Sequence, residues 1–137
     1  MGGERVDETG LRRLRALREA LRSLLSANNG GHCGDADLAP LREAAAGARF
    51  QATLGGDGAI DICVDGDGAG AVESRLLLAL ERVQALGGWE RLKVCPAEDC
   101  GWAFFDSTRN RSRTWCSMEV CGNRSKTRRY RSRHRHR

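Results

Sequence analysis

The chain has 137 residues, 40% of them hydrophobic, and a formal net charge of +5. That length holds one ordinary domain, or a small domain plus a stapled module, and the apolar content excludes a wholly disordered chain. The charge is segregated: residues 1–108 carry 12 Lys+Arg against 17 Asp+Glu, whereas residues 109–137 carry 11 against one, so the body is −5 and the tail +10. Such asymmetry points to a polyanion at the tail, either nucleic acid or an anionic membrane surface. The opening MGGERVDETG has no apolar stretch of the secretory kind, and no run of 18 apolar residues occurs, so the expectation is a cytoplasmic protein without a membrane partner. In a reducing compartment disulfides are disfavoured, which makes clustered cysteines candidate metal ligands or redox groups.

In chain order, residues 7–27 place Leu11, Leu14, Leu17, Leu21, Leu24 and Leu25 at three- and four-residue intervals, which predicts an amphipathic helix. Asp7 or Thr9 can cap its start, and Asn28, Asn29, Gly30 and Gly31 stop it. A shorter helix is expected over residues 38–46. RFQATL and AIDICV alternate around GGDG and predict a β-hairpin. Residues 66–70 read as a flexible link, and the spacing of Val72, Leu76, Leu80, Val83 and Leu86 predicts a helix over 71–86, ended by Gly87 and Gly88. The expected class is α+β, a small helical layer on a short hairpin. Since two strands cannot stand alone in water, the leucine faces are expected to cover them, or a second copy of the chain is expected to pair with them. A homodimer through the N-terminal domain is thus one partner expectation.

Beyond residue 88 the chemistry concentrates. Cys95 and Cys100, then Cys116 and Cys121, form two C-x4-C pairs, each followed by glycine, Gly101 and Gly122. Two close pairs joined by a linker of hairpin length can bring four sulfurs to the corners of a tetrahedron, the arrangement one structural Zn²⁺ takes. Neither pair has the C-x-x-C spacing of a redox site, and four cysteines close the position a catalytic zinc keeps open. Gly101 is expected to adopt a positive φ. Ser117 is a plausible helix N-cap, with Cys121 early in a helix that continues through the basic tract. Cys33 and Cys63 read as unremarkable thiols. No G-x-S-x-G, Walker loop or H-E-x-x-H is present, so no catalytic residue is assigned and no enzyme is expected.

The candidate nucleic-acid-binding residues are Arg109, Arg111 and Arg113 before the second cysteine pair, and Arg124, Lys126, Arg128, Arg129 and Arg131 after it. On a helix Arg124, Arg128 and Arg131 share one stripe with Arg129 beside it, a suitable probe for a groove or phosphate ridge. Thr108, Ser112, Thr114, Ser125 and Thr127 add hydroxyl donors. The closing SRHRHR is expected to be disordered, with His134 and His136 adding cationic character.

The stretch CPAEDCGWAFFDSTRNRSRTWCSMEVCGNRSKTRRYRSR closely resembles the CGNR zinc-finger family, whose tetrapeptide is here Cys121, Gly122, Asn123 and Arg124. The match takes in all four cysteines, the F-x-D element at Phe104 to Asp106, the S-x-x-R-x-R run and the Trp-Cys pair. The resemblance implies a bacterial transcriptional regulator with a C-terminal treble-clef or ribbon-like finger, zinc held by Cys95, Cys100, Cys116 and Cys121, and double-stranded DNA as partner. DNA is favoured over RNA by the resemblance alone, and the alternative is an RNA-binding or protein-interaction zinc module. The family carries an α/β domain, ABATE, ahead of the finger, and GLRRLRALREALRSLL resembles a helix in its middle. The expected division is therefore residues 1–88, a shortened ABATE-like domain lacking its opening elements, and residues 89–137, the finger with its basic tail.

Overall fold

The computed structural model describes residues 6–134. It is a mixed α+β fold with four helices and two small antiparallel sheets among the described residues. The elements are α1 (Glu8–Ala27), α2 (Ala39–Gly47), β1 (Gln51–Leu54), β2 (Ile60–Cys63), α3 (Gly68–Ala85), β3 (Leu92–Val94), β4 (Ala103–Phe105) and α4 (Asn123–His134). The described residues form two compact units, one of residues 6–21 with 34–89 and one of residues 22–33 with 90–134. The greater part of α1 thus belongs to one unit and its last turns to the other.

In the first unit, Asp7 caps α1 by accepting from the Gly10 N–H at 2.7 Å. A Cβ on Gly10 would lie 2.8 Å from the Ala69 Cβ, so glycine permits the close approach of α1 to α3. The core consists of Leu17, Ala20, Leu41, Ala44 and Ala71, with Glu73 and Ser74 as its buried polar residues. Arg13 reaches the Glu73 carboxylate, and Ser74 Oγ donates to Gly70 O at 2.9 Å while accepting the Arg49 N–H at 3.1 Å. Both buried polar side chains thereby have partners, as burial requires.

Two expectations change here. The stretch 66–70 is not a link throughout, because α3 starts at Gly68; Asp67 ends the connection and Arg75 donates to Gly66 O at 2.9 Å, holding the turn onto the helix. The helices also leave the hairpin's apolar face open. β1 and β2 pair with Ala52 opposite Ile62 and Leu54 opposite Ile60, yet Leu54 is 73% and Ile60 70% exposed. Helix α2 packs on α3, and α3 touches the hairpin through Arg82, which donates to Ile62 O at 2.9 Å.

In the second unit β3 and β4 form a hairpin with Lys93 opposite Phe104, and its ladder continues with Cys95 N–H to Trp102 O at 2.9 Å. The Asn residues after α1 dock on this hairpin: Asn28 Nδ2 donates to Leu92 O at 2.9 Å, and Asn29 Nδ2 donates to Val94 O at 3.0 Å and Thr114 O at 2.7 Å. Helix α4 continues to His134, so Ser132 to His134 are helical rather than disordered; the rest of the SRHRHR segment, His136 included, lies outside the described residues. Tyr130 stacks on His134 with ring centroids 4.1 Å apart, which supports that last turn.

Candidate metal centre

The four thiols come from three places that the local sequence positions. Cys95 follows β3 directly, and the knuckle after it closes with Cys100 N–H to Ala97 O at 3.0 Å. Gly101 then turns the chain into β4 with φ +61, the left-handed conformation expected of it. Cys116 precedes Ser117, whose hydroxyl caps the next helical segment by accepting the Val120 N–H at 3.3 Å. That segment opens as a wide π-helical turn over Met118–Gly122, in which the Cys121 and Gly122 N–H groups share Ser117 O at 3.0 and 3.1 Å. Cys121 is thus held in the turn that leads directly into α4.

Gly122 is there for a different reason from Gly101. Its φ is ordinary, but an added Cβ would sit 2.4 Å from Met118 Sδ and 3.1 Å from Trp115 Cδ1. The indole and thioether lie over the glycine, beside the thiol cluster.

All four Sγ atoms lie within 4.8 Å of one another. Cys100 and Cys116 are 3.6 Å apart and Cys116 and Cys121 3.7 Å, far beyond a disulfide bond of about 2.05 Å. Thiolates at about 2.3 Å from a tetrahedral zinc stand roughly 3.8 Å from each other. The cluster therefore fits one zinc ion, with four sulfur ligands and a closed coordination shell. Cys95 and Cys121 are buried, and with Ala97 they form the centre of a small core against which Phe104, Trp115, Cys100 and Cys116 pack. The apolar core of this unit is therefore built around the metal site itself.

The surroundings act in opposite directions on the thiols. Burial alone raises the Cys95 thiol, but N–H groups of Cys116 and Ala97 and the thiols of Cys116 and Cys100 bring it below its ordinary value. Cys116 is pushed up to about 12, first by burial and then by its neighbours Cys100, Cys121 and Cys95. Burial raises Cys121 as well. Holding Cys116 and Cys121 as thiolates at neutral pH requires a cation, which is what zinc would supply.

A buried ion pair that sequence reading did not single out organises the rest of the finger. Asp106 is fully buried, and its carboxylate accepts from Lys93 Nζ at 2.8 Å, Thr108 N–H at 2.9 Å, Thr108 Oγ1 at 2.6 Å and Arg113 N–H at 2.9 Å. Burial would raise its pKa, yet Lys93 and these donors hold it far below 3.8. Lys93 spends its other protons on Arg111 O at 2.6 Å and Arg113 O at 3.0 Å. Arg91 donates to Asp106 O at 2.9 Å and Thr108 O at 2.6 Å. The loop 107–114 is thereby fixed from beneath, including Arg111 in a left-handed conformation, φ +53. The signal in the sequence was the F-x-D element and a lysine alternating with Leu92 and Val94 in a strand.

The candidate nucleic-acid-binding residues divide into two groups. Arg113 is turned inward: its Nε donates to Trp115 O at 3.0 Å, its guanidinium also reaches Cys116 O, and it lies 5.1 Å above the Phe104 ring. Arg111 pairs with Glu90, Arg124 with Asp99, and Arg128 with Glu98 at 2.8 Å and Asp99 at 3.6 Å. Arg109, Lys126, Arg129 and Arg131 have no acidic partner among the described residues.

A centre of four cysteines closed on itself and followed by a helix defines a structural zinc-finger protein. A family model described as CGNR zinc finger matches residues 91–134, and the ABATE model, described as "Putative stress-induced transcription regulator", matches residues 2–88. The chain belongs to the ABATE family and carries a C-terminal CGNR zinc finger. The ABATE match takes in residues 2–88, which overturns the expectation of a shortened N-terminal domain. No curated protein matches the chain.

Proposed function

We propose that this protein is a zinc-dependent DNA-binding transcriptional regulator of bacterial cytoplasm, acting by binding rather than by catalysis. The observation that carries the reading is α4: it grows directly out of the turn holding Cys121, buries none of its twelve residues, and is basic through its last turn. A helix that buries nothing has no packing reason to exist in that form, and most helical stability comes from packing. Its cations without an acidic partner among the described residues, Lys126, Arg129 and Arg131, are available to phosphate oxygens, and the metal fixes where they point. The loop 107–114, held by Lys93 and Asp106, adds Arg109 and the hydroxyls of Ser112 and Thr114 as further donors, the Thr108 hydroxyl being spent on Asp106.

Binding of duplex DNA and of structured RNA, compared at matched salt, tests the reading. If five to eight phosphates are neutralised, log affinity for duplex falls against log salt with a slope of roughly −4.5 to −7. A flat salt dependence, or undiminished binding after chelation of zinc, removes the proposal. The exposed rings of Trp102 and Tyr130, 68% and 63% accessible, favour the second reading, an RNA-binding module, because such rings stack unpaired bases. Preference for RNA in the same comparison selects it.

Self-association belongs to the same proposal. The open hairpin face with Leu54 and Ile60 supports a homodimer through the first unit. Sedimentation as a compact monomer across a wide concentration range eliminates that part.

A further inference from the structure

Helix α4 has two cationic faces, and they are not electrically equivalent. At 100° per residue, Arg124, Arg128 and Arg131 lie within one narrow sector, while Lys126 and Arg133 lie on the opposite side together with Arg129, which is therefore not beside the first stripe as expected. The first sector meets the knuckle between Cys95 and Cys100, where Asp99 pairs with Arg124 and Arg128 and Glu98 with Arg128. Two carboxylates thus pair with two of the sector's three guanidinium groups, Arg131 having no acidic partner among the described residues. The opposite sector has no acidic partner among the described residues; Arg133 there contacts only a carbonyl, Arg129 O at 3.5 Å. The exposed Tyr130 ring borders this side.

We propose that α4 meets the nucleic-acid backbone with the Lys126–Arg129–Arg133 face, and that Glu98 and Asp99 withhold Arg124 and Arg128 from phosphate. This rests on the nucleic-acid reading above and assigns its surface and its restraint. The physical basis is counterion release. A free cation that neutralises a phosphate releases a condensed counterion and contributes to the salt dependence. An arginine already balanced by a carboxylate adds little net charge, and a phosphate approaching it also approaches that carboxylate. The knuckle acids are fixed by the metal site, since the turn carrying them runs between two of its ligands. They therefore set the finger's affinity from a rigid position. This divides the basic tract into a contacting face and a governed one, which the helical stripe of Arg124, Arg128 and Arg131 alone does not reveal.

The test uses the full-length, zinc-loaded protein and a random-sequence DNA duplex, with the slope of log affinity against log salt as the readout. K126A/R129A/R133A is expected to lower the slope by about 2.7, at about 0.9 per phosphate contact. R124A/R128A is expected to change it by less than about 0.9, less than one contact. E98Q/D99N is expected to steepen it by about 1.8 and to tighten binding, by freeing two arginines. Zinc stoichiometry reports whether each variant retains its finger, and E98Q/D99N leaves the sequence of α4 intact, so that arm decides even where an arginine variant loses metal. Equal losses in the two arginine-bearing sets, or an unchanged slope in E98Q/D99N, overturn the proposal while leaving DNA binding in place. Absence of salt-dependent binding by the unaltered protein instead removes the DNA-binding reading itself.

Discussion

Single residues in the finger carry work that their neighbours cannot take over. Lys93 sits in a strand among apolar residues and neutralises a carboxylate with no access to water. Lys93→Met would fill the same volume but leave Asp106 charged and buried, so a loss of about 3 kcal/mol in the stability of the zinc-bound finger is expected by chemical denaturation. A loss under about 0.5 kcal/mol would mean that the pair is dispensable. Gly122 illustrates a contest between two effects. Alanine gains about 1 kcal/mol of helix propensity over glycine, but a Cβ here meets Met118 Sδ at 2.4 Å and Trp115 Cδ1 at 3.1 Å. Overpacking of this kind costs about 1–3 kcal/mol, so Gly122→Ala is expected to destabilise and Met118→Ala to relieve part of the effect. Additive losses in the double variant would show that the thioether is not the obstacle. The sequence displayed these residues without their roles. A glycine needed for close contact looks the same in a string of letters as one needed for a positive φ, and a buried lysine looks like any surface lysine.

Among the elements, the hairpin and α4 are the least buried and the most informative. Leu54 and Ile60 face water on β1 and β2, so Leu54→Asn and Ile60→Asn should each alter unit stability by about 0.5 kcal/mol or less, as surface substitutions do. If the first unit self-associates through this face, the same changes shift sedimentation toward monomer; a large drop in melting temperature would show the face to be core. The existence and type of these elements were legible. Alternation in RFQATL and AIDICV marked the strands, and leucine spacing marked α1 and α3. What covers the hairpin was not legible, because apolar alternation shows that a face wants burial but not whether this chain supplies the cover. Helix α4 also runs further than its composition suggests. SRHRHR has little apolar content, yet a nucleated helix propagates cheaply, and the Tyr130–His134 stack supports the last turn.

For the whole molecule, the metal is expected to separate the behaviour of the two units. Structural zinc contributes on the order of 10 kcal/mol of folding free energy in small modules, and this finger's core is assembled from its own ligands. Chelation should therefore increase hydrogen exchange over residues 90–134 and over 22–33, whose Asn28 and Asn29 bind β3, while residues 8–21 stay protected. Uniform exchange throughout α1 would contradict this. Zinc uptake at neutral pH should release at least two protons, from the raised thiols Cys116 and Cys121, measurable by calorimetry in buffers of different ionisation enthalpy. The Asp106 pair behaves oppositely. Its folded pKa lies below 3.8, so its stabilisation is fully present above that value and is lost only as pH falls further, through the folded pKa. Zinc loss on mild acidification, above pH 3.8, thus reports thiolate protonation and not failure of this pair. The sequence by itself determined the ligand set, the helical and strand segments and the polarity of the tail, because each is written in local spacing or composition. Only the tertiary structure decided that residues 22–33 belong with the finger, that Lys93 and Asp106 hold its loop, and that Glu98 and Asp99 face Arg124 and Arg128. Those pairings join residues that are far apart in the chain, and no periodicity encodes which distant partner a polar side chain will meet.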